Sequence, residues 1–307
     1  MEIIMTDILI VGAGPAGLTA AVYACRAGMQ VTVFDKSIYG GQAAVTKDIE
    51  NFPAIENING ADFSHRLYKQ ALKAGADIRF EEVRSLKLSE SIKTAETSSG
   101  SYQARAVILA HGVRRRHLEC PGEKEFFGKG VSYCATCDGY FYKNKDVAVV
   151  GGGNTALEDA IFLSQYCRSV TLLIHRRAAF RAEKTLVDAV RKQPEIRCII
   201  GSTVERIEGD AAVNTLILRG GGSGTFRLGV SGVFIAIGYE PDNAWLEGQL
   251  PLDSLGYILS DESCSTALPG VFVAGDNRRK ILRQLVTAAS DGAVAAYQAA
   301  SYIHLNE

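Results

Sequence analysis

Residues 7–36, DILIVGAGPAGLTAAVYACRAGMQVTVFDK, decide the fold. The apolar run at 8–11 has the character of a parallel strand buried on both faces, and Leu18, Val22 and Cys25 recur behind it at helical spacing. Between strand and helix, Gly12, Gly14 and Gly17 have separate tasks: a tight turn, close approach of backbone to a pyrophosphate, and packing of helix on strand. The helix N-terminus adds amide donors and the positive end of its dipole. A glycine turn is common by itself, but one that follows a strand and opens a helix is a dinucleotide-binding fingerprint. Asp35 closes the second strand, where its carboxylate can accept both ribose hydroxyls of an adenosine.

A second copy runs over residues 146–177, DVAVVGGGNTALEDAIFLSQYCRSVTLLIHRR. Asp7 to Asp146 and Gly12 to Gly151 share one offset, 139, so the repeat is in register through the glycines and argues for a duplicated nucleotide-binding unit. Gly151, Gly153 and Ala156 take the three glycine positions, Ala156 being the small variant tolerated where helix meets strand. In place of the acidic Asp35, this copy ends on His175, Arg176 and Arg177, with Arg181 one turn later. A carboxylate there would repel a 2'-phosphate, whereas guanidinium forks bind it. The first site therefore suits FAD and the second NADPH over NADH.

The run YCATCDG precedes the second copy and holds Cys134 and Cys137, the latter nine positions before Asp146. A tight Cys-x-x-Cys pair reads as redox-active or metal-binding. A structural zinc site would want a second such pair or a His pair at ligand spacing; Cys25, Cys120, Cys167, Cys198 and Cys264 are instead scattered singly and there are five histidines, so no metal is expected. A dithiol between two nucleotide sites implies electrons passing from one nucleotide, through the other, to the sulfurs.

The 307 residues suit two domains of about 100 to 200 residues each. A formal net charge of -1 leaves no global field for nucleic acid or an anionic membrane. No apolar run approaches the roughly 18 residues that would span a bilayer. Acidic Glu2 and Asp7 stand where a targeting peptide would be basic, so a cytoplasmic protein with reduced thiols is expected.

The chain between and after the two copies suggests how they are threaded. A glycine-led loop at 40–53 precedes an amphipathic helix at 60–75, then a small antiparallel meander near 83–88, 92–97 and 101–104, then an apolar strand at 106–110. Turn chemistry at His111 and Gly112 and the basic stretch 114–116 mark a crossover, with a return at 238–241. After a short strand and a proline turn, GVFVAGD at 270–276 is another buried strand, ending on a carboxylate that can meet ribityl hydroxyls. The alanine-rich helix expected over 283–304 would set its N-terminus near the flavin ring. The expected fold is thus α/β, with two Rossmann-like three-layer nucleotide-binding domains. The FAD domain comprises 1–113 and 243–307, and the NADPH domain, 114–242, is inserted in it and carries the cysteine pair.

With GAGPAG, GGQ, ENFP, CATCDG, GGGNTA, HRRAAFRAEK, GVFVAGD and RQLVTAASDG in this order, the chain resembles the low-molecular-weight thioredoxin reductases, flavoproteins of the pyridine nucleotide-disulfide oxidoreductase group. Glutathione reductase-type relatives differ in carrying their cysteines beside the first flavin motif. The resemblance implies that Cys137 faces the flavin, that Cys134 attacks the disulfide of thioredoxin, and that Asp138 manages the proton. Around FAD it implies Gly12, Gly14, Pro15, Ala16, Gly17, Asp35, Lys36, Gly40, Gly41, Gln42, Asn51, Val83, Ala110, Gly112, Gly275, Asp276, Asn277, Arg283, Gln284 and Leu285. Around NADPH it implies Gly151, Gly153, Asn154, Thr155, His175, Arg176, Arg177 and Arg181. It also implies a homodimer and an inserted domain that swings about hinges at 114–117 and 238–243. Three positions depart from the family pattern: His111 where threonine is common, Asp35 where glutamate is usual, and Ser290 where glycine or alanine is frequent. Rival readings are a ferredoxin-dependent relative, which would lack GGGNTA and HRR; a peroxiredoxin-reducing flavoprotein, which would carry an N-terminal thioredoxin-like extension; and a non-catalytic NADPH sensor, which would not need the cysteine pair.

Overall fold

A computed structural model describes residues 4–46, 49–175, 180–220 and 224–306. Two compact units emerge from it, one built of residues 1–114 and 240–307, the other of residues 115–239.

The first unit begins with β1 (Ile4–Val11), α1 (Pro15–Arg26) and β2 (Val31–Phe34), the strand-turn-helix-strand expected from the opening fingerprint. Then come α2 (Gly60–Ala74), β3 (Asp77–Arg79), β4 (Val83–Lys87), β5 (Lys93–Thr97) and β6 (Ser101–Leu109). Asn59 caps α2 by accepting the Ala61 amide at 2.9 Å, and Gly75, in the left-handed region, ends it. The third meander strand and the apolar strand expected as separate segments are one strand, β6. Its first half pairs antiparallel with β5 and its whole length runs parallel to β1.

After β7 (Val113–Arg115), the second unit holds β8 (Val131–Ser132), α3 (Ala135–Asp138), β9 (Asp146–Val150), α4 (Asn154–Ser164) and β10 (Ser169–Ile174). It continues through α5 (Lys184–Lys192), β11 (Ile196–Ile200), β12 (Thr203–Gly209), β13 (Val213–Arg219), β14 (Thr225–Gly229) and β15 (Gly232–Ile235). The chain returns through β16 (Tyr239–Pro241), which pairs with β7, and finishes with β17 (Val271–Val273) and α6 (Leu285–Leu305). Helix α6 starts at Leu285 rather than 283 because the Gln284 amide is taken by Thr287 Oγ1 at 3.1 Å, which makes Gln284 the cap.

Each unit is three layers on a parallel sheet. In the first, the order is β3-β2-β1-β6, with β17 parallel to the second half of β6 and β5-β4 beyond its first half. Ile8 and Ile10 of β1 point into a core with α1 and α6, while Leu9 and Val11 point into the opposite core with Leu86, Ala95 and Tyr102 of the meander. In the second, the order is β11-β10-β9-β15-β8, all parallel. Val147 and Val149 face Leu157, Leu163 and Val190 of the helices, and Ala148 and Val150 face Ile207, Leu216 and Leu218 of the antiparallel β12-β13-β14 sheet. Period-2 alternation within a run that is apolar throughout is what a strand buried on both faces requires, and each such Leu or Ile contributes about 1.5–3 kcal/mol on burial.

Candidate active site

The glycine turns fold alike in the two units. Gly12 has φ +108°, and a Cβ there would lie 2.3 Å from the Ala110 carbonyl oxygen at the end of β6. Gly151 has φ +152°, and its Cβ would lie 2.2 Å from the Ala236 carbonyl oxygen just past β15. Only glycine allows the neighbouring strand to come this close. Gly14 and Gly153, by contrast, face open space, with nothing nearer than Gly41 Cα at 4.0 Å in the first case and nothing within 4 Å in the second. These are the positions where a phosphate can approach the backbone at a helix N-terminus.

In the first unit Pro15 opens α1 and Ala16 and Gly17 are buried behind it. Asp35 closes the loop after β2: its Oδ2 accepts the Ala13 amide at 2.8 Å and its Oδ1 the Ser37 amide at 3.1 Å, and Lys36 between them is exposed. Gly40 is left-handed and leads into a short 3-10 turn that begins with Gly41 and Gln42, whose Nε2 donates to the Val113 carbonyl at 3.4 Å. Asn51 Nδ2 donates to Gln284 Oε1 at 3.1 Å, which joins the loop before α2 to the cap of α6, where Leu285 begins. Val83 opens β4, and Ala110 and Gly112 follow β6. Gly275 donates its amide to Asp291 Oδ2 at 3.0 Å. Beside it, the buried Asp276 Oδ1 and Asn277 Oδ1 have no hydrogen-bond partner. Burial pushes the Asp276 carboxyl above its ordinary range, against the pull of Lys280 and Arg283. The Arg283 guanidinium lies 3.8 Å from the centre of the Tyr257 ring.

In the second unit, Asn154 opens α4 with the exposed Thr155 next to it. Asn154 and Glu183 bond reciprocally: Nδ2 donates to Glu183 Oε1 at 3.0 Å and the Glu183 amide donates to Oδ1 at 2.9 Å. The Arg181 amide donates to the Gly152 carbonyl at 2.7 Å, so the backbone at Arg181 lies against the glycine turn. His175 is exposed at the end of β10; Arg176 and Arg177 lie outside the described residues.

The cysteine pair follows β8. Cys134 and Cys137 form a disulfide with their Cα atoms 5.4 Å apart, the span expected of such a bond. Cys134 caps α3: the Cys137 amide donates to its Sγ at 3.2 Å and the Asp138 amide to its carbonyl at 3.2 Å. Ser132 Oγ accepts the Cys134 amide at 3.1 Å and donates to Asp138 Oδ2 at 2.6 Å. The acid is thereby fixed on the same turn as the disulfide. Tyr140 and Phe141, a few residues on, are 67% and 73% exposed, an apolar surface beside the sulfurs.

The other five cysteines are free thiols. Burial pushes Cys120 and Cys167 up to about 11 and Cys264 up to about 12, and shifts Cys25 and Cys198 the same way. A thiol shifted in this direction presents less thiolate, the attacking form, at neutral pH.

Several residues at these sites escaped the reading of the sequence. Ser132 carries no motif. Glu183 pairs with Asn154 across 29 positions. Asp291, buried in α6, accepts from Arg278 Nη1 at 3.0 Å and Lys280 Nζ at 2.7 Å as well as from Gly275. One signal for it exists: a carboxylate inside an alanine-rich helix requires partners.

A model of the pyridine nucleotide-disulphide oxidoreductases matches residues 6–292. The thioredoxin reductase of Treponema pallidum (strain Nichols) is 43% identical over 302 residues, 97% of each chain. That of Mycolicibacterium smegmatis is 42% identical over 300 residues, covering 97% of this chain and 96% of its own. Among solved structures, Lactococcus lactis thioredoxin reductase superposes with a TM-score of 0.91 at 32% identity, over 98% of this chain and 99% of the other. The chain belongs to the pyridine nucleotide-disulphide oxidoreductase family and, within it, to the thioredoxin reductases.

Proposed function

We propose that this protein is an NADPH-dependent, FAD-containing thioredoxin-disulfide reductase, acting as a cytoplasmic homodimer, with FAD on residues 1–113 and 243–307 and NADPH on residues 114–242. The observation that carries the reading is the Cys134-Cys137 disulfide with Asp138 anchored beside it, in the same unit as the second glycine turn. The residues at the first turn suit FAD: the open face at Gly14 admits a pyrophosphate, and the orphaned buried Asp276 oxygen is an acceptor that ribityl hydroxyls satisfy. The supports for NADPH are the open Gly153, the Arg181 amide bonded to the Gly152 carbonyl, and the guanidinium charges of Arg176, Arg177 and Arg181 beside His175. Among the described residues no helix is long and apolar enough to cross a membrane.

FAD supplies a two-electron relay between NADPH and the disulfide. Two electrons and two protons open the Cys134-Cys137 bond to a dithiol, with Asp138 moving a proton at the sulfurs. The Cys134 thiolate then attacks one sulfur of the oxidised thioredoxin, forming a mixed disulfide and expelling a thioredoxin thiolate. Cys137 attacks Cys134 in turn, restores the internal disulfide and releases the dithiol product. The exposed Tyr140 and Phe141 offer apolar contact to a protein substrate at the right place. Because one disulfide must meet both flavin and thioredoxin, residues 114–117 and 238–243 are the proposed hinges. Arg114 ties the two crossovers through Glu240 at 3.0 Å and Asp242 at 3.6 Å.

Anaerobic titration tests the reading. NADPH bleaches the oxidised flavin, oxidised thioredoxin restores its colour, and Cys134→Ser loses the second step. Bleaching by dithionite but not by NADPH moves the donor to ferredoxin or another carrier and overturns the NADPH assignment.

A further inference from the structure

His111, one of the departures from the family pattern, sits at the meeting point of three segments of the first unit. Its Cα lies 2.8 Å from where a Cβ on Gly12 would be, so its backbone closes the first glycine turn. Its ring lies between two buried asparagines: Nε2 is 2.7 Å from Asn243 Oδ1, and Nδ1 is 3.4 Å from Asn277 Nδ2. The Trp245 ring lies edge-on at 5.4 Å between centroids.

The partners settle where the proton sits. Asn243 Nδ2 donates to the carbonyls of Gly256 and Asn277, both at 2.9 Å, so its other end is the oxygen and His111 Nε2 must be the donor. Asn277 Nδ2 donates to the Leu109 carbonyl at 3.1 Å, so the group facing Nδ1 is also a donor and Nδ1 must accept. Assignments made on opposite sides of the ring agree on one tautomer.

We propose that His111 is a positioning residue: neutral and protonated on Nε2, it locks Asn277, and with it the adjacent Asp276, against the first glycine turn and so keeps the FAD-holding carboxylate in place. The inference rests on the FAD site proposed above. An imidazolium would set Nδ1-H against the Asn277 N-H, and turning the Asn277 amide to accept it would set Oδ1 against the Leu109 carbonyl. Burial holds the ring below the ordinary histidine range; the bond to Asn243 and the charge of Asp242 favour the proton, and Lys36 opposes it. Asp276, with Lys280 and Arg283 around it, completes the charged groups near the clamp. Acidification therefore loosens FAD through this ring, and neutral pH secures it.

The test uses the full chain. Nitrogen-15 histidine spectra of the wild type, with the His111 signals assigned by their loss in His111→Gln, are expected to show the Nε2-H tautomer at about pH 7.5 and proton uptake only below the pH of an ordinary histidine. Release of FAD, read as a gain in flavin fluorescence between about pH 5 and pH 8, is expected to accelerate on acidification in the wild type. His111→Phe, which keeps bulk without either nitrogen, should release FAD about tenfold faster near neutral pH. His111→Gln, whose amide replaces the Nε2 donor, should hold FAD at neutral pH and flatten the acid limb. The Nδ1-H tautomer, an imidazolium at about pH 7.5, or wild-type FAD retention by His111→Phe overturns the proposal. A wild type that binds no FAD instead overturns the functional reading, and the tautomer, measured without flavin, still decides the hydrogen-bond clamp.

Discussion

Ser132 Oγ donates to Asp138 Oδ2 at 2.6 Å while accepting the Cys134 amide at 3.1 Å. One hydroxyl thus couples the acid to the backbone of Cys134, the proposed attacking cysteine, and the acid cannot drift from the sulfurs while that bond stands. General acid-base groups contribute about 10²–10⁴-fold when placed, so Ser132→Ala is expected to lower NADPH-to-thioredoxin turnover by about tenfold. FAD content should be unchanged, since Ser132 belongs to the other unit. Steady-state rates with thioredoxin, beside flavin absorbance, check both halves.

The two sulfurs are expected to part company under mutation. Cys134→Ser removes the proposed attacking thiolate, so NADPH should still reduce the flavin while reduction of thioredoxin disappears. Cys137→Ser keeps the attacking sulfur but not the resolving one, so it should accumulate a mixed disulfide with thioredoxin once Cys134 is free. A stable, reductant-sensitive adduct on a non-reducing gel, formed by Cys137→Ser and absent in Cys134→Ser, is the expected result. The reverse pattern exchanges the two roles.

How far these sites could be read from sequence depends on whether their physics is local. Gly12 and Gly151 are legible because a left-handed turn under a neighbouring strand needs glycine, and the 139-residue offset repeats that need. The core faces are legible for the same reason: alternate residues of β1 and β9 serve two layers, so the whole run must be apolar. The continuity of β6 was not, because Ser101–Leu109 changes partner midway and its polar first half reads like a meander. Nor were Ser132, Asn243 and Glu183, since a small polar residue shows no periodicity and its partner is known only once the chain has folded.

Asp276, proposed above to hold FAD, also bears on the stability of the fold. Its carboxyl is raised above the ordinary range by burial, so the ionised form strains the flavin-free protein at neutral pH. The sign follows: a carboxyl raised in the folded state favours folding at low pH, and that contribution is lost as pH rises through the folded value. Asp276→Asn is therefore expected to raise the melting temperature of the flavin-free protein at neutral pH. It should also weaken FAD by about 10- to 100-fold, the worth of a hydrogen bond to a charged group. Calorimetry with and without FAD separates the two effects, and a variant that loses stability without FAD refutes the first.

Asp159 gives the same kind of dependence within the second unit. Burial, then the neighbouring Glu158, pushes its carboxyl up to about 7, against the pull of Arg115. Folding should therefore carry no penalty from this group below about pH 4, where it is protonated in both states, and the full penalty above pH 7, where it is ionised in both. Asp159→Asn removes the charge with little change of shape, so its melting temperature should exceed the wild type's by about 3 °C or more at pH 8 and match it near pH 4. Paired calorimetric scans at the two pH values make the comparison. An equal shift at both would assign the effect to packing of the amide, because only a titrating carboxylate can make the gain appear on one side of its own ionisation.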